Sequence, residues 1–297
     1  MTVLVTGASG FVGRHAIVRL AEEGRHVRAM VRDAARYSGP AGVPVVEADV
    51  TMPESLATAV GGVDTVVHCA AITANLKEPY RGAYDAINRG GTDNLVAAAA
   101  AAGVRRLVVL SGLGTKPAAA GTYMATRWAM EEAVRAGSIP SVIIQPSVQF
   151  GDDAEFVAAL ARLVKSSPVV PLLGGGGLRF QPIWVEDVVT CIVRAIDDES
   201  LTGRSIAIGG SEYATFREII DTICSVMGKR RIKAPLPLWL ARLQAPLMGL
   251  LPHPPLTKAS LELFGFENTT DIDAVDKTFG FHPSGFREHL AAHGVEP

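Results

Sequence analysis

Cysteine is scarce. Cys69, Cys191 and Cys224 are the only three in 297 residues, and no two stand in a C-x-x-C spacing. They supply neither a disulfide framework nor a zinc site, and they suit a reduced compartment. No uninterrupted apolar run reaches the roughly 18 residues that a membrane span requires. The net charge of −2 gives no general attraction to nucleic acid or to a strongly anionic surface. His289 and His293 stand four apart on a helical stretch, but nothing supplies the remaining ligands of a metal site. Gly174–Gly177 lacks a following Lys-Ser/Thr, so it is a loop and not a phosphate-binding P-loop. There is no internal repeat. The chain opens directly into a strand, so no signal or transit peptide is expected, and the expected setting is cytoplasmic with a small-molecule substrate.

What the chain does have is apolar material, 48% of its residues, and an alternation of strand and helix patterns. Strands are expected at the N-terminus, Val27–Val31, Val43–Ala48, Val63–Cys69, Leu107–Leu110 and Ser141–Gln145. Helices are expected at Phe11–Glu23, Pro53–Val60, Ala83–Ala102 and Thr122–Ala136. Nearly all-apolar strands separated by helices imply an α/β fold, a doubly wound parallel sheet of Rossmann type with ligands at the carboxyl ends of its strands. This dinucleotide-binding domain is expected to cover residues 1–150 and to be rejoined by about 179–200, through a strand at Leu178–Ile183 and a helix at Val185–Ile196. Past Gly151 the alternation fails, and 151–297 is expected to form a smaller, mostly helical substrate lobe.

The organising stretch is Val3-Leu4-Val5-Thr6-Gly7-Ala8-Ser9-Gly10-Phe11-Val12-Gly13. It predicts a strand, a tight turn and a helix start whose unpaired N–H groups and dipole suit a pyrophosphate. The backbone from Gly7 through Ser9, Gly10, Phe11 and Val12 to Gly13 is therefore the candidate cradle. Where NAD-binding versions place an acid at the end of the second strand, this chain has Val31 followed by Arg32. An Arg there matches a 2′-phosphate, so NADP(H) is favoured over NAD(H). A solvated surface residue is the alternative for Arg32. Asp49, with Val50 beside it, suits either the adenine amino group or a turn cap. His68-Cys69-Ala70-Ala71 ends the fourth strand in small residues, as a backbone lying against a cofactor requires, while His68 itself suits a packed core. Tyr123, Arg127 and Glu131 share one helix face. A phenol near a fixed cation exchanges its proton more readily than free tyrosine, although an ordinary i,i+4 pair has the same spacing.

Together these stretches resemble the short-chain dehydrogenase/reductase superfamily in its extended or atypical, epimerase/dehydratase-like form. The resemblance rests on Thr6-Gly7-x-x-Gly10-x-x-Gly13, Asp49-Val50, His68-Cys69-Ala70-Ala71 and Asn88-x-x-Gly91-Thr92-x-Asn94-Leu95. Tyr123-x-x-x-Arg127-x-x-x-Glu131 and Pro146-Ser147-x-x-Phe150-Gly151 extend it. Arg179-Phe180-Gln181-Pro182-Ile183-x-Val185-x-Asp187-Val188 and the prolines from Pro235 to Pro255 look like the branch containing the nucleotide-binding accessory subunit of respiratory complex I. The resemblance implies cofactor contacts at Gly7, Gly10, Gly13, Arg32, Asp49, Ala70 and Tyr123, extending to Val50, Ala71 and Arg127. It places Pro146 and Ser147 near the carboxamide, and Tyr123, Arg127 and Ser111 at the chemistry. It implies reduction of a carbonyl or quinone-like molecule, with a non-catalytic nucleotide-binding subunit and a nucleotide-sugar epimerase as alternatives. Three positions depart from the pattern: Arg127 replaces lysine, Leu113 stands where extended enzymes place a hydroxyl, and Gln145-Pro146 replaces Arg-Pro. Residues 236–251 are almost wholly apolar, yet Pro246 and Arg242 argue against a span. Lobe core, a lid over an apolar pocket, and a surface lying on a membrane or partner protein are the three readings of that stretch.

Overall fold

Valine and isoleucine dominate the segments that become strands: β1 (Thr2–Thr6), β2 (His26–Val31), β3 (Val45–Glu47), β4 (Thr65–His68), β5 (Arg106–Leu110) and β6 (Ser141–Pro146). In the computed structural model, which describes residues 1–248 and 257–295, they pair as a seven-stranded sheet. The order is β3-β2-β1-β4-β5-β6, with Ser205–Ile208 beyond β6. β1 runs parallel to both β2 and β4, and the β2–β3, β4–β5 and β5–β6 pairs are parallel too. Chain order reverses between β1 and β4, so a crevice for a ligand opens at their carboxyl ends. The fold is a doubly wound α/β Rossmann sheet.

Contacts gather the chain into two units. The first comprises Met1–Ile72, Glu78–Gln145 and Val188–Ile206, and the second Thr73–Lys77, Pro146–Asp187 and Ala207–Pro297. In the first, α1 (Phe11–Glu22) buries Val12, Ala16, Ile17 and Leu20, the i, i+4, i+5, i+8 stripe of a helix lying on a sheet. α2 (Pro53–Val60) starts on a proline, which needs no N–H at that position. The expected helix at Ala83–Ala102 is two elements, a π-helical turn at Asp85–Gly90 and α3 (Gly91–Ala101). The wider turn sits where Asn88 is fully buried. α3 lies so close to Val50 that a Cβ on Gly91 would fall 2.5 Å from its Cγ2. α4 (Tyr123–Ala136) begins where Thr122 caps the Ala125 N–H at 3.2 Å.

The second unit has its own core, in which Phe150, Phe180, Phe216, Phe264 and Phe286 meet the apolar faces of α5 (Glu155–Ser166) and α7 (Phe216–Val226), two helices between which the chain forms α6 (Val185–Asp197). The strand expected at Leu178–Ile183 is two short ones. Arg179–Phe180 pairs antiparallel with Ala214–Thr215, and Ile183–Trp184 pairs parallel with Gln149–Phe150. Gln181 and Pro182 break the run. Proline has no N–H for a ladder, and Gln181 is drawn into bonds with Asn268, Gly210 and Thr270.

Candidate functional site

The glycines of the N-terminal turn have separate reasons. Gly7 holds φ +65°, and a Cβ there would lie 2.8 Å from the Ala70 backbone. A Cβ on Gly13 would lie 2.1 Å from the Gly7 carbonyl oxygen, so α1 closes on the turn only without a side chain. Gly10 is different. It is exposed, and its Cβ would meet only the Gly7 oxygen, at 3.1 Å. Gly10 is also the N-cap of α1, with no side-chain cap bond and no acidic residue in the first turn. A helix start left uncapped beside an open glycine is a fit for a pyrophosphate. Ser9 is exposed at the same turn, Phe11 is partly buried, and Val12 faces the core.

The opposite wall of this crevice is held by a buried polar chain through Thr6, His68, Thr92 and Asn88. Thr92 Oγ1 donates to the Asn88 carbonyl at 2.7 Å, so it accepts from His68 Nε2 at 3.0 Å. His68 Nδ1 is then an acceptor, receiving the Thr6 hydroxyl at 2.7 Å, and Thr6 Oγ1 accepts from the Ala70 N–H at 3.3 Å. Asn88 takes the Ile72 N–H at 2.8 Å and donates to the Ile72 carbonyl and to Thr126 Oγ1. Ala70 and Ala71 are thereby fixed from both sides. His68 is buried, as expected of a packed core residue. The helical spacing of Asn88 and Thr92 was the signal available in the sequence.

Burial and the Arg127 charge push the His68 imidazole down to about 3. The unfolded chain therefore binds a proton that the folded chain refuses between about pH 6.5 and pH 3. Stability should be fully present above that window and fall on acidification by up to ~1.4 kcal/mol per pH unit. Denaturant titrations of wild type and His68→Gln across this range test it. The difference between the two should shrink as pH falls, and a constant difference would refute the assignment.

At the end of β2, Val31 is buried and Arg32 is exposed, without an ion pair among the described residues. The nearby carboxylates are turned onto backbone. Asp33 caps the Ala35 and Arg36 N–H groups, and Glu47 takes that of Ala34. Asp49 Oδ1 is occupied by the N–H and hydroxyl of Thr51 at 2.8 and 2.7 Å, so the turn-holding role is present. Val50 is buried and its carbonyl accepts from Asn94 at 2.9 Å.

Tyr123 and Arg127 are both nearly buried on α4. The Tyr123 ring meets Tyr84 edge-on, with centroids 5.4 Å apart. Arg127 Nη2 donates to the Leu110 carbonyl at 3.1 Å, while its buried Nε has no partner among the described residues. One turn on, Glu131 is fully buried and gathers three donors: the Ser111 hydroxyl at 2.5 Å, Gln145 Nε2 at 2.8 Å, and Arg135. Ser111 follows β5, and its hydroxyl is committed to this carboxylate. Leu113 is buried. Pro146 ends β6, and Ser147 in the second unit donates its hydroxyl to the Gln181 carbonyl. His289 packs against Phe150, Trp184 and His293. No helix among the described residues is long and apolar enough to cross a membrane.

Residues 7–171 match the family described as NAD(P)H-binding. The chain is 26% identical to the NADH dehydrogenase [ubiquinone] 1 alpha subcomplex subunit 9, mitochondrial, of Arabidopsis thaliana, over 98% of this chain and 76% of that protein. It is 27% identical to a 2-alkyl-3-oxoalkanoate reductase of Stenotrophomonas maltophilia, over 95% of each. Among solved structures, MoeE5 in complex with UDP-glucose and NAD superposes with a TM-score of 0.75 at 22% identity, over 98% of this chain and 96% of that one. That likeness is one of fold.

Proposed function

Because the chain belongs to the NAD(P)H-binding family, as an atypical member of the short-chain dehydrogenase/reductase superfamily, we propose that it is an NADPH-dependent reductase of a moderately apolar carbonyl or quinone-like compound. The carrying observation is Tyr123 at the first position of α4 with the buried Arg127 cation one turn behind it, in the same unit as the glycine cradle. Gly7, Gly10, Gly13 and the N-terminus of α1 would hold the pyrophosphate, the Ala70–Ala71 backbone would line the nicotinamide half, and Arg32 would take the 2′-phosphate. Bound NADPH supplies the hydride. Tyr123 gives its phenolic proton to the carbonyl oxygen, with the Arg127 cation one turn behind it on α4. The oxoalkanoate reductase named above supports a carbonyl substrate by its name alone.

The cofactor preference has its own test. NADPH should bind about 1–2 kcal/mol more tightly than NADH, and Arg32→Ala should erase most of that difference. Titration of both nucleotides reads it directly. Equal affinities in the wild type would remove Arg32 from the site.

A second reading, a nucleotide-holding subunit without turnover, is favoured by Leu113 standing where a hydroxyl is expected and by the commitment of Ser111 to Glu131. The relative from Arabidopsis thaliana, named as a subunit of a larger complex, points the same way. Tight NADPH binding with no oxidation by any carbonyl or quinone of a broad panel would establish it over the first.

A further inference from the structure

From Thr222 to Leu261 the chain contains no Asp or Glu, yet it carries Lys229, Arg230, Arg231, Lys233, Arg242 and Lys258. The overall net charge of −2 hides this local excess. Within the same stretch lie the three most exposed large apolar residues of the described chain: Ile232, Trp239 and Leu243, each 68% exposed. Their placement is specific. In α8 (Leu238–Met248), Leu238 and Ala241 turn to the core of the second unit. Trp239, Arg242 and Leu243 occupy the outward face, at the i, i+3, i+4 spacing of one helical stripe. The strand Ile232–Leu236, which leads into α8, pairs with Val169–Leu173, and its Ile232 stands beside Val169, itself 40% exposed.

The charges divide in the same way. Lys233 is paired with Asp221, and Arg231 Nε donates to the Val164 carbonyl at 2.6 Å. Lys229, Arg230 and Arg242 are exposed and make no ion pair among the described residues. An outward face of Trp and Leu with cations beside it inverts the usual surface helix and has the composition of one that lies in a membrane interface. Tryptophan suits that boundary because one edge is apolar and the indole N–H stays wet. A protein interface would be depleted in lysine at its centre. A nucleic-acid surface would not require exposed Leu243 and Ile232.

We propose that this face of the second unit docks on an anionic lipid surface, with Trp239, Leu243 and Ile232 entering the headgroup boundary and Lys229, Arg230 and Arg242 meeting lipid phosphates. Docking of this kind is peripheral and reversible. It would place an NAD(P)H-binding protein at the surface where apolar substrates partition, but it does not depend on turnover.

The test uses the full chain and vesicles of phosphatidylcholine with or without phosphatidylglycerol, read by co-sedimentation and tryptophan emission. Binding is expected on the anionic vesicles, with a blue-shifted emission that Trp239→Phe removes, and weakening with added salt. The double variant Trp239→Ser, Leu243→Ser should weaken partitioning by about tenfold or more. Lys229→Glu with Arg230→Glu should weaken it comparably. Near-ultraviolet circular dichroism and the thermal midpoint report that each variant is folded, and the charge pair, being exposed, keeps the test open if the apolar pair misfolds. The proposal is overturned by no binding at lipid excess, by equal binding to neutral vesicles, or by folded variants that bind as the wild type does. It is also overturned if the wild type self-associates and shields Trp239 without lipid, or if an apolar carbonyl ligand alone shields it.

Discussion

Tyr123→Phe is expected to lower turnover by about 10²- to 10⁴-fold, the range spanned by a positioned general acid, while leaving NADPH affinity within about twofold. The substitution removes one hydroxyl and keeps the ring, so the edge-on contact with Tyr84 survives. The start of α4 survives as well, because its cap is the Thr122 side chain on the Ala125 N–H. The loss should fall on kcat and on kcat/KM together, as for a contact made only in the transition state. Steady-state oxidation of NADPH with an active carbonyl, set beside nucleotide titration, separates the two quantities. Unchanged turnover in a variant that binds NADPH normally would exclude Tyr123 as the proton donor. The Ser111 hydroxyl donates its hydrogen bond to buried Glu131, so it is not a ready substitute.

The second large effect separates two glycines of one turn. Gly13→Ala puts a Cβ 2.1 Å from the Gly7 carbonyl, a contact with backbone that only displacement of α1 relieves. It should cost on the order of 3 kcal/mol of stability and lower nucleotide affinity with it. Gly10→Ala meets protein only at 3.1 Å, at a residue whose φ of −80° any side chain accepts. It should leave the thermal midpoint within a few degrees yet reduce NADPH affinity by about tenfold or more, because its methyl group would fill the space proposed for the pyrophosphate. Thermal unfolding without nucleotide and titration of the folded variants read the two effects apart. If Gly10→Ala binds NADPH as the wild type does, the open side of the turn is not the phosphate site.

The parallel sheet was legible because its strands are buried on both faces and are therefore apolar almost throughout. Pro53–Val60 could be bounded by its proline and by the glycines that follow it alone. The stretch Ala83–Ala102 is helical as expected, but periodicity does not distinguish a π turn from an α turn, so the π turn at Asp85–Gly90 was not legible. What sits at the wide turn is Asn88, whose partners Ile72 and Thr126 are distant in sequence. The single strand over Leu178–Ile183 failed for the related reason that Gln181 makes its bonds to Asn268, Gly210 and Thr270. Local propensity carries no information about such partners.

By itself the sequence determined the superfamily, the glycine turn and the absence of a carboxylate at the last position of β2, because each depends on residue type at a short, fixed spacing. Only the tertiary structure decided which glycines are required by the fold and which one opens outward, since that depends on what backbone lies opposite. It likewise decided that His68 is a neutral pin between Thr6 and Thr92 and that the Ser111 hydroxyl is held by Glu131. For the stretch 236–251, composition alone favoured burial no less than exposure. The structure buries Ala241 and turns Trp239 and Leu243 outward, and residues 249–256 lie outside the described part. A helix has one face to give to a core, and which residues occupy that face is set by how the helix meets its neighbours, not by their hydrophobicity alone.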